Sequence, residues 1–428
     1  MNDPDAALLL TRLGERGWAT SAELQGLLGK SQPTLARLLG ALAPRLLTLG
    51  AGRRTRYALP QTIAGRAAVQ PVHWVHEDGR IEAWGTLSFI AGQRVHLSAP
   101  GIDAETTGAL PWWLAPLGGE GFIGRLLAAR LAPQGLDRDP ARWTLEHQLL
   151  AALHMSDAPG ALVLGEPTTT AAATLLGRDS HDALAEDVAA TLPAGSSAGG
   201  EQAKFLAQRA DDGAALLVKF TPPRGTPFGE RWHDLLHAEA LALETLSLHG
   251  VPVASARVIE TARRTYLESL RFDRVGRAGR RHAVPLSAAH DAFVPGPRQH
   301  WAATCDRLAA QRRLSADAAE QVRALLHFGR LIGNSDMHFG NLILFVAPAD
   351  AARGRFTLAP VYDMLPMHWR PDVATGAFDW LPFTPEPIDL QSAARPVAQA
   401  FWQRVAAHSP LSAGFRALAR EMSARTAG

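Results

Sequence analysis

A single cysteine, Cys305, in 428 residues excludes an intramolecular disulfide and leaves no thiolate set for a zinc site. Any metal must be held mainly by oxygen or imidazole. Long apolar runs are missing as well: Arg, Gly or Pro interrupts each of them well before the length needed to cross a bilayer. The N-terminus, MNDPDAALLL, has acids where a signal peptide carries bases. These absences predict a cytoplasmic chain with no membrane partner. The remaining composition, 47% hydrophobic and 20% charged, is that of a globular protein with two or three cored domains.

A net charge of +2 conceals an uneven distribution. Residues 1–60 carry eight bases (Arg12, Arg16, Lys30, Arg37, Arg45, Arg53, Arg54, Arg56) and four acids (Asp3, Asp5, Glu15, Glu23), a balance of +4 that leaves −2 for the rest. A basic head points to a polyanion partner for that segment alone. Its pattern predicts three helices. Leu8, Leu9 and Leu13 form one apolar face before Gly17, a second helix is capped at Thr20 or Ser21 and ends at Gly29, and a third starts at Ser31 with Pro33 in its first turn. The alternating segment LLTLGAGRRTRYALP then reads as a hairpin with a basic tip from Gly50 to Arg56. Together these are a winged helix-turn-helix pattern over 1–60, expected to bind DNA. Ser31, Thr34 and Arg37 would face a groove, and Arg53, Arg54 and Arg56 would meet phosphates. A protein-interaction module with a solvated basic loop is the alternative.

Residues 61–70 read as a linker. Beyond it, VHWVHEDGRIEAWGTLSF alternates about a Glu77-Asp78-Gly79 turn, and the aromatic Trp112, Trp113 and Phe122 introduce a helix from about Gly121 as core residues. The Ala-rich stretch 140–195 yields no clear elements. From 196 the order is a glycine turn (SSAGGEQAK), a hairpin at Asp211-Asp212-Gly213, an apolar strand carrying Lys219, and a helix from about Arg231 to Leu248 carrying Glu239. A strand segment, RTYLESLRFDRVG, comes next, and helices dominate after Pro297.

One polar block stands out: NSDMHFGN places Asn334, Asp336, His338 and Asn341 between apolar runs, where unpaired burial would be costly. Glycine turn, strand lysine, helix glutamate, an Asp followed five residues on by an Asn, and then Asp363 make up the inventory of phosphoryl transfer from ATP. Lys219 would neutralise phosphates with Glu239 holding it, Asp336 would accept a hydroxyl proton, and Asn341 and Asp363 would bind Mg2+. Taken singly the pieces have blander explanations. Lys219 could snorkel at a sheet edge, Glu239 could be a solvated helix acid, and Asp363 could cap a turn before Pro366.

In this order the motifs resemble the HipA-like kinases, the toxins of bacterial persistence toxin–antitoxin modules, over most of the chain from about residue 71. NSDMHFGN is similar to their catalytic loop, LAPVYDMLP to their metal-binding aspartate motif, SSAGGEQAKF to their phosphate loop, LLVKF to their lysine strand and ESLRFDR to their hinge strand. The N-terminal head matches the YjjJ-like subgroup with a fused helix-turn-helix. The resemblance implies an α+β, two-lobed protein-kinase-like fold of HipA type. Its parts would be the winged head at 1–60, an N-terminal subdomain at 71–195, an N-lobe part at 196–280 and a helical C-lobe at 281–428.

The resemblance also implies a serine/threonine protein kinase using ATP and Mg2+, with catalytic Asp336, Lys219, Glu239 and a loop-ordering His338. Asn341 and Asp363 would be its metal ligands, and Ser196, Ser197, Ala198, Gly199, Gly200, Lys204 and Lys219 would line the nucleotide. Ser196, or its neighbour Ser197, would be autophosphorylated. Substrates by this resemblance are translation proteins, aminoacyl-tRNA synthetases among them, with an antitoxin as a further partner. The phosphate loop carries one residue more than the family pattern, and Leu270 replaces a Glu in the hinge. Two other functions fit the same residues: a metal-dependent DNA-acting enzyme using Asp336, His338 and Asp363, and a nucleotide-sensing transcriptional regulator.

Overall fold

The computed structural model describes residues 4–119, 121–155, 157–167, 174–177, 180–191, 202–372 and 379–427. The head has the three expected helices and the hairpin, with an additional strand after the first helix: α1 (Pro4–Arg16), β1 (Trp18–Thr20), α2 (Ser21–Leu28), α3 (Gln32–Leu42), β2 (Leu47–Leu49) and β3 (Arg56–Ala58). β3 pairs antiparallel with both β1 and β2. Thr20 caps α2 in a reciprocal box with Glu23, and Gly29 closes it in the left-handed conformation. Ser31 sits at the cap position of α3, but its hydroxyl bonds Thr34 Oγ1 at 3.1 Å rather than the helix backbone. Leu9 and Leu13 are buried as expected, whereas Leu8, 41% exposed, lies off the apolar face.

The stretch expected as a linker is docked. Ala91 N donates to Leu59 O at 2.9 Å, Gln61 N donates to Phe89 O at 3.0 Å, and Ile63 is buried in the main core. Leu49 and Ala58 of the head pack on Ile90. β4 (Val69–Val75) starts within the same stretch and continues into β5 (Ile81–Ile90), β6 (Arg94–Ala99) and β7 (Ile102–Thr107), an antiparallel meander. Helices α4 (Gly121–Leu131) and α5 (Leu145–His154) follow, and β8 (Leu162–Leu164) completes the sheet beside β4. Trp113 and Phe122 are buried, as their place before a helix predicts.

The next sheet begins earlier than residue 196. β9 (Leu175–Leu176) and α6 (His181–Thr191) precede β10 (Lys204–Arg209) and β11 (Ala215–Phe220), and β9 lies parallel beside β10. α7 (Pro227–Leu248), β12 (Ala256–Glu260) and β13 (Thr265–Leu270) complete an order β12-β13-β11-β10-β9. β11 is therefore interior, between β10 and β13, so the sheet-edge explanation of Lys219 falls. Short strands β14 (Arg274–Val275) and β15 (Gly279–Arg280) lead to β16 (His282–Pro285). The helical part then runs through α8 (Leu286–Phe293), α9 (Trp301–Ala310) and α10 (Ala316–Leu331). It continues through β17 (Ile343–Val346), β18 (Thr357–Leu358), α11 (Pro387–Leu390), α12 (Arg395–Ala407) and α13 (Ala413–Ala427). One large core spans the meander, α7 and the C-terminal helices. Among the described residues, no helix is long and apolar enough to cross a membrane.

The RFDR segment joins these parts through charge. Asp273 Oδ2 accepts from Gly160 N (2.9 Å), Arg271 Nη2 (3.0 Å) and Arg274 Nη1 (2.7 Å), while Arg271 Nη1 reaches Asp157 Oδ2 at 2.6 Å. Burial pushes the Asp273 carboxyl up, but Arg271 and Arg274 outweigh it and hold the pKa down at about 2. A carboxyl depressed in this way stabilises the fold at neutral pH, and that contribution fades as pH falls from about 4 toward 2. Asp273→Asn removes the negative charge that two buried guanidinium groups share. It should cost about 3–5 kcal/mol at pH 7, read by thermal or urea unfolding. A loss within experimental error would show the network to be dispensable.

Candidate active site

Lys219 lies on β11 with its Cα opposite Lys204 of β10, and two of the chain's three lysines thus share one rung of the sheet. The Lys219 ammonium is 4% exposed and donates to both Glu239 oxygens at 2.6 Å; it also pairs with Asp363. Glu239, on α7, is itself buried, so it is no solvated helix acid. Burial opposes the lysine's charge, yet Asp363 and Glu239 more than compensate and hold it above the ordinary lysine range. Burial pushes the Glu239 carboxyl up, with Lys219 pulling against it. Asp363 feels the same burial, but the charges of Lys219 and Lys204 hold it down at about 2. The lysine thus lies between two carboxylates that share its charge.

Asp363 adopts φ 55°, left-handed backbone that a non-glycine residue seldom takes and that recurs at functional sites. Its segment is held from both sides. Val361 N donates to Pro252 O at 2.9 Å and Ala254 N to Val361 O at 2.8 Å, tying it to the chain that leaves α7. Ala359 N donates to Ile343 O at 3.1 Å, and the Tyr362 hydroxyl donates to Gly340 O, tying it to the polar loop. Tyr362 was not evident as a site residue from sequence; its place beside Asp363 was the available signal.

The polar loop leaves α10 and enters β17, as its apolar flanks predict. Only its two asparagines are buried; Asp336 is half-buried and His338 exposed, so the expectation of four buried groups is corrected. Asn334 Oδ1 accepts from Asp336 N at 3.0 Å, and Asn341 Nδ2 donates to Asp336 O at 2.9 Å. The Asp336 backbone is thereby fixed on both sides, and the Asn341 amide keeps its Oδ1 end for another partner. His338 Nδ1 accepts from Gly340 N at 3.0 Å, and its carbonyl accepts from Trp301 Nε1 at 3.0 Å, which makes it an organiser of the loop. Its charge also bears on Asp363.

Ser196, Ser197, Ala198, Gly199 and Gly200 lie outside the described residues. Gln202 Nε2 donates to Phe220 O at 2.5 Å, at the end of the lysine strand. Lys204 is close enough to Glu239 and Asp363 for its charge to lower both carboxyls. In the head, Arg53, Arg54 and Arg37 are exposed. Arg56 departs from expectation: it bonds Asp103 at 2.6 Å, lies 3.7 Å from Glu105 and covers the Trp18 ring, so it fastens the head to the meander instead of facing outward.

Comparison with known proteins bears on family and fold. Residues 196–425 match the HipA-like C-terminal domain. The chain belongs to the HipA-like toxin family. Within that family, residues 66–173 match the middle domain of YjjJ-like toxins. The chain is 34% identical to Toxin YjjJ of Escherichia coli (strain K12) over 433 residues, covering 96% of each protein. A chain of the complex of HipA, HipB and operator DNA from Shewanella oneidensis MR-1 aligns at a TM-score of 0.53 with 15% identity, over 83% of this chain and 95% of that one. The fold of this HipA-like protein is thus the two-lobed, kinase-like one.

If the Lys219 pair stabilises the HipA-like core as its burial implies, Lys219→Met should cost about 3–5 kcal/mol by leaving two carboxylates without the cation bonded to both. The double variant Lys219→Met/Glu239→Gln should lose less than the sum of the single losses. Strict additivity in unfolding free energy would mean that the two side chains do not stabilise one another.

Proposed function

We propose that this protein is an ATP-dependent serine/threonine protein kinase that phosphorylates a protein hydroxyl and its own phosphate-loop serine, Ser196 or Ser197. The convergence of Lys219, Glu239 and Asp363 from three separate segments carries this reading. A metal-dependent nuclease has no use for the lysine and its glutamate, and a pure nucleotide sensor has none for Asp336.

The donors present fit a nucleotide with Mg2+: the Asp363 carboxylate and the Asn341 amide oxygen are hard ligands, and Lys219 and Lys204 suit phosphates. When bound, ATP and Mg2+ would supply an activated phosphoryl group and neutralise its charge. Lys219 would then exchange part of its contact with Asp363 for phosphate oxygens while Glu239 keeps it aimed. Asp336, its backbone braced by Asn334 and Asn341, would orient a hydroxyl and accept its proton. Pre-organisation is the contribution of these asparagines: they set the base without competing for its carboxylate.

The head adds DNA binding in this reading. Arg53 and Arg54 on the exposed hairpin tip would contact phosphates, and Thr34 and Arg37 on α3 would enter a groove; Arg56 serves the fold instead. HipB and operator DNA accompany HipA in the Shewanella complex. A fused head would let this chain reach DNA itself, with or without an antitoxin, while the protein substrate is a translation component such as an aminoacyl-tRNA synthetase.

Mass spectrometry of the full chain incubated with ATP and Mg2+ tests the activity. Phosphate should appear on the peptide holding Ser196 and Ser197 and fall by at least ~100-fold in Asp336→Ala; equal phosphate in both proteins refutes the assignment of the base. For the head, Arg53→Ala/Arg54→Ala should weaken binding to duplex DNA and reduce the slope of log affinity against log salt by about 2, measured by anisotropy. An unchanged slope removes the hairpin tip from the interface.

A further inference from the structure

The helix that carries Glu239 also carries part of a cluster that phosphoryl transfer does not use. His233 and His237 stand one turn apart on α7 in the spacing His-x-x-x-His, and Glu260 closes the group from the end of β12. One donor atom from each of the three lies within 4.8 Å of the others. Both histidines are buried, and Glu260 is partly exposed at 37%, giving an ion a route in.

We propose that His233, His237 and Glu260 form a binding site for a divalent transition metal of the zinc class, with the fourth position open to water. The two imidazoles decide the class, since nitrogen donors suit zinc over magnesium or calcium. The surroundings supply what a metal-bound histidine needs, a partner for its second ring nitrogen. His233 Nδ1 lies 2.7 Å from the Thr265 hydroxyl, and His237 Nδ1 lies 3.0 Å from His408 Nε2. Each ring can therefore direct Nε2 at the ion while Nδ1 donates to its neighbour. Arg224 holds Glu260 Oε2 at 3.2 Å and leaves Oε1 directed at His237.

Two hydrogen bonds would yield to the ion: His233 Nε2 to Pro410 O at 3.1 Å, and His237 Nε2 to Glu260 Oε1 at 3.0 Å. Zinc bonds of ~2.1 Å set tetrahedral donors about 3.4 Å apart, so closure needs a side-chain contraction on the order of 1 Å. The site would fasten α7 to β12 and, through His408, to the turn between α12 and α13. It therefore lies where an ion could restrain the helix that positions Glu239, whether or not the chain transfers phosphate.

Full-length protein stripped with a chelator and titrated with Co2+ should develop the visible absorption of a four-coordinate nitrogen and oxygen site at one equivalent, and Zn2+ should abolish it. Zn2+ should also raise the melting temperature. Glu260→Gln, at a partly exposed position and close in shape, should fold like the parent yet bind at least ~10-fold more weakly, and His237→Gln should abolish the band. Absence of the band in the parent protein, or Co2+ affinity in Glu260→Gln equal to that of the parent, overturns the proposal and leaves the cluster as hydrogen-bonded packing.

Discussion

A single ammonium group, that of Lys219, has to be neutralised inside the protein, and much of the architecture follows from that. A buried charge without partners would be prohibitive, so carboxylates must come to it from elsewhere in the chain. Glu239 comes from α7 and Asp363 from the segment after β18, which means that the sheet, the helix and the polar-loop region have to be assembled together. The left-handed backbone at Asp363 is strain of the kind that persists only when neighbours over-determine it. Here the bonds through Val361 and Tyr362 do so.

The same logic distributes labour within the polar loop. Asn334 and Asn341 are buried and spend their amides on the Asp336 backbone, while Asp336 and His338 stay nearer the solvent. Neutral amides can be buried and hydrogen-bonded at modest cost, whereas a carboxylate buried without a paired charge is expensive. Elsewhere, salt links serve assembly: Asp273 ties the meander to the segment after β13, and Arg56 ties the head to the meander. This use of Arg56 shows how a basic residue in a basic head can belong to an internal contact.

Much of the site could be read along the chain because its chemistry is carried by residue types in a fixed order. Lys219, Glu239, Asp336, Asn341 and Asp363 meet or brace one another as their order implies, and the apolar flanks of the polar loop do mark the end of a helix and the start of a strand. The miscalled parts share a cause. Leu8 and Arg56, the stretch 61–70 and the start of the central sheet at Leu175 all depend on what packs against them, and a local pattern contains no record of its neighbours. His233 and His237 were visible as a spacing, yet their significance depends on Glu260, Thr265 and His408 arriving from three other elements.

By itself, then, the sequence determined the inventory: which side chains can carry charge or coordinate, the periods that make helices and strands, and a basic head distinct from a near-neutral body. Hydrophobic period and residue chemistry are local properties, so they survive without the fold. The tertiary structure alone decided which charges are buried with which, which arginines of the head are exposed, and that His233 and His237 on the helix of Glu239 meet Glu260. Pairing and burial depend on distances between segments far apart in the chain, and these exist only once the core has closed.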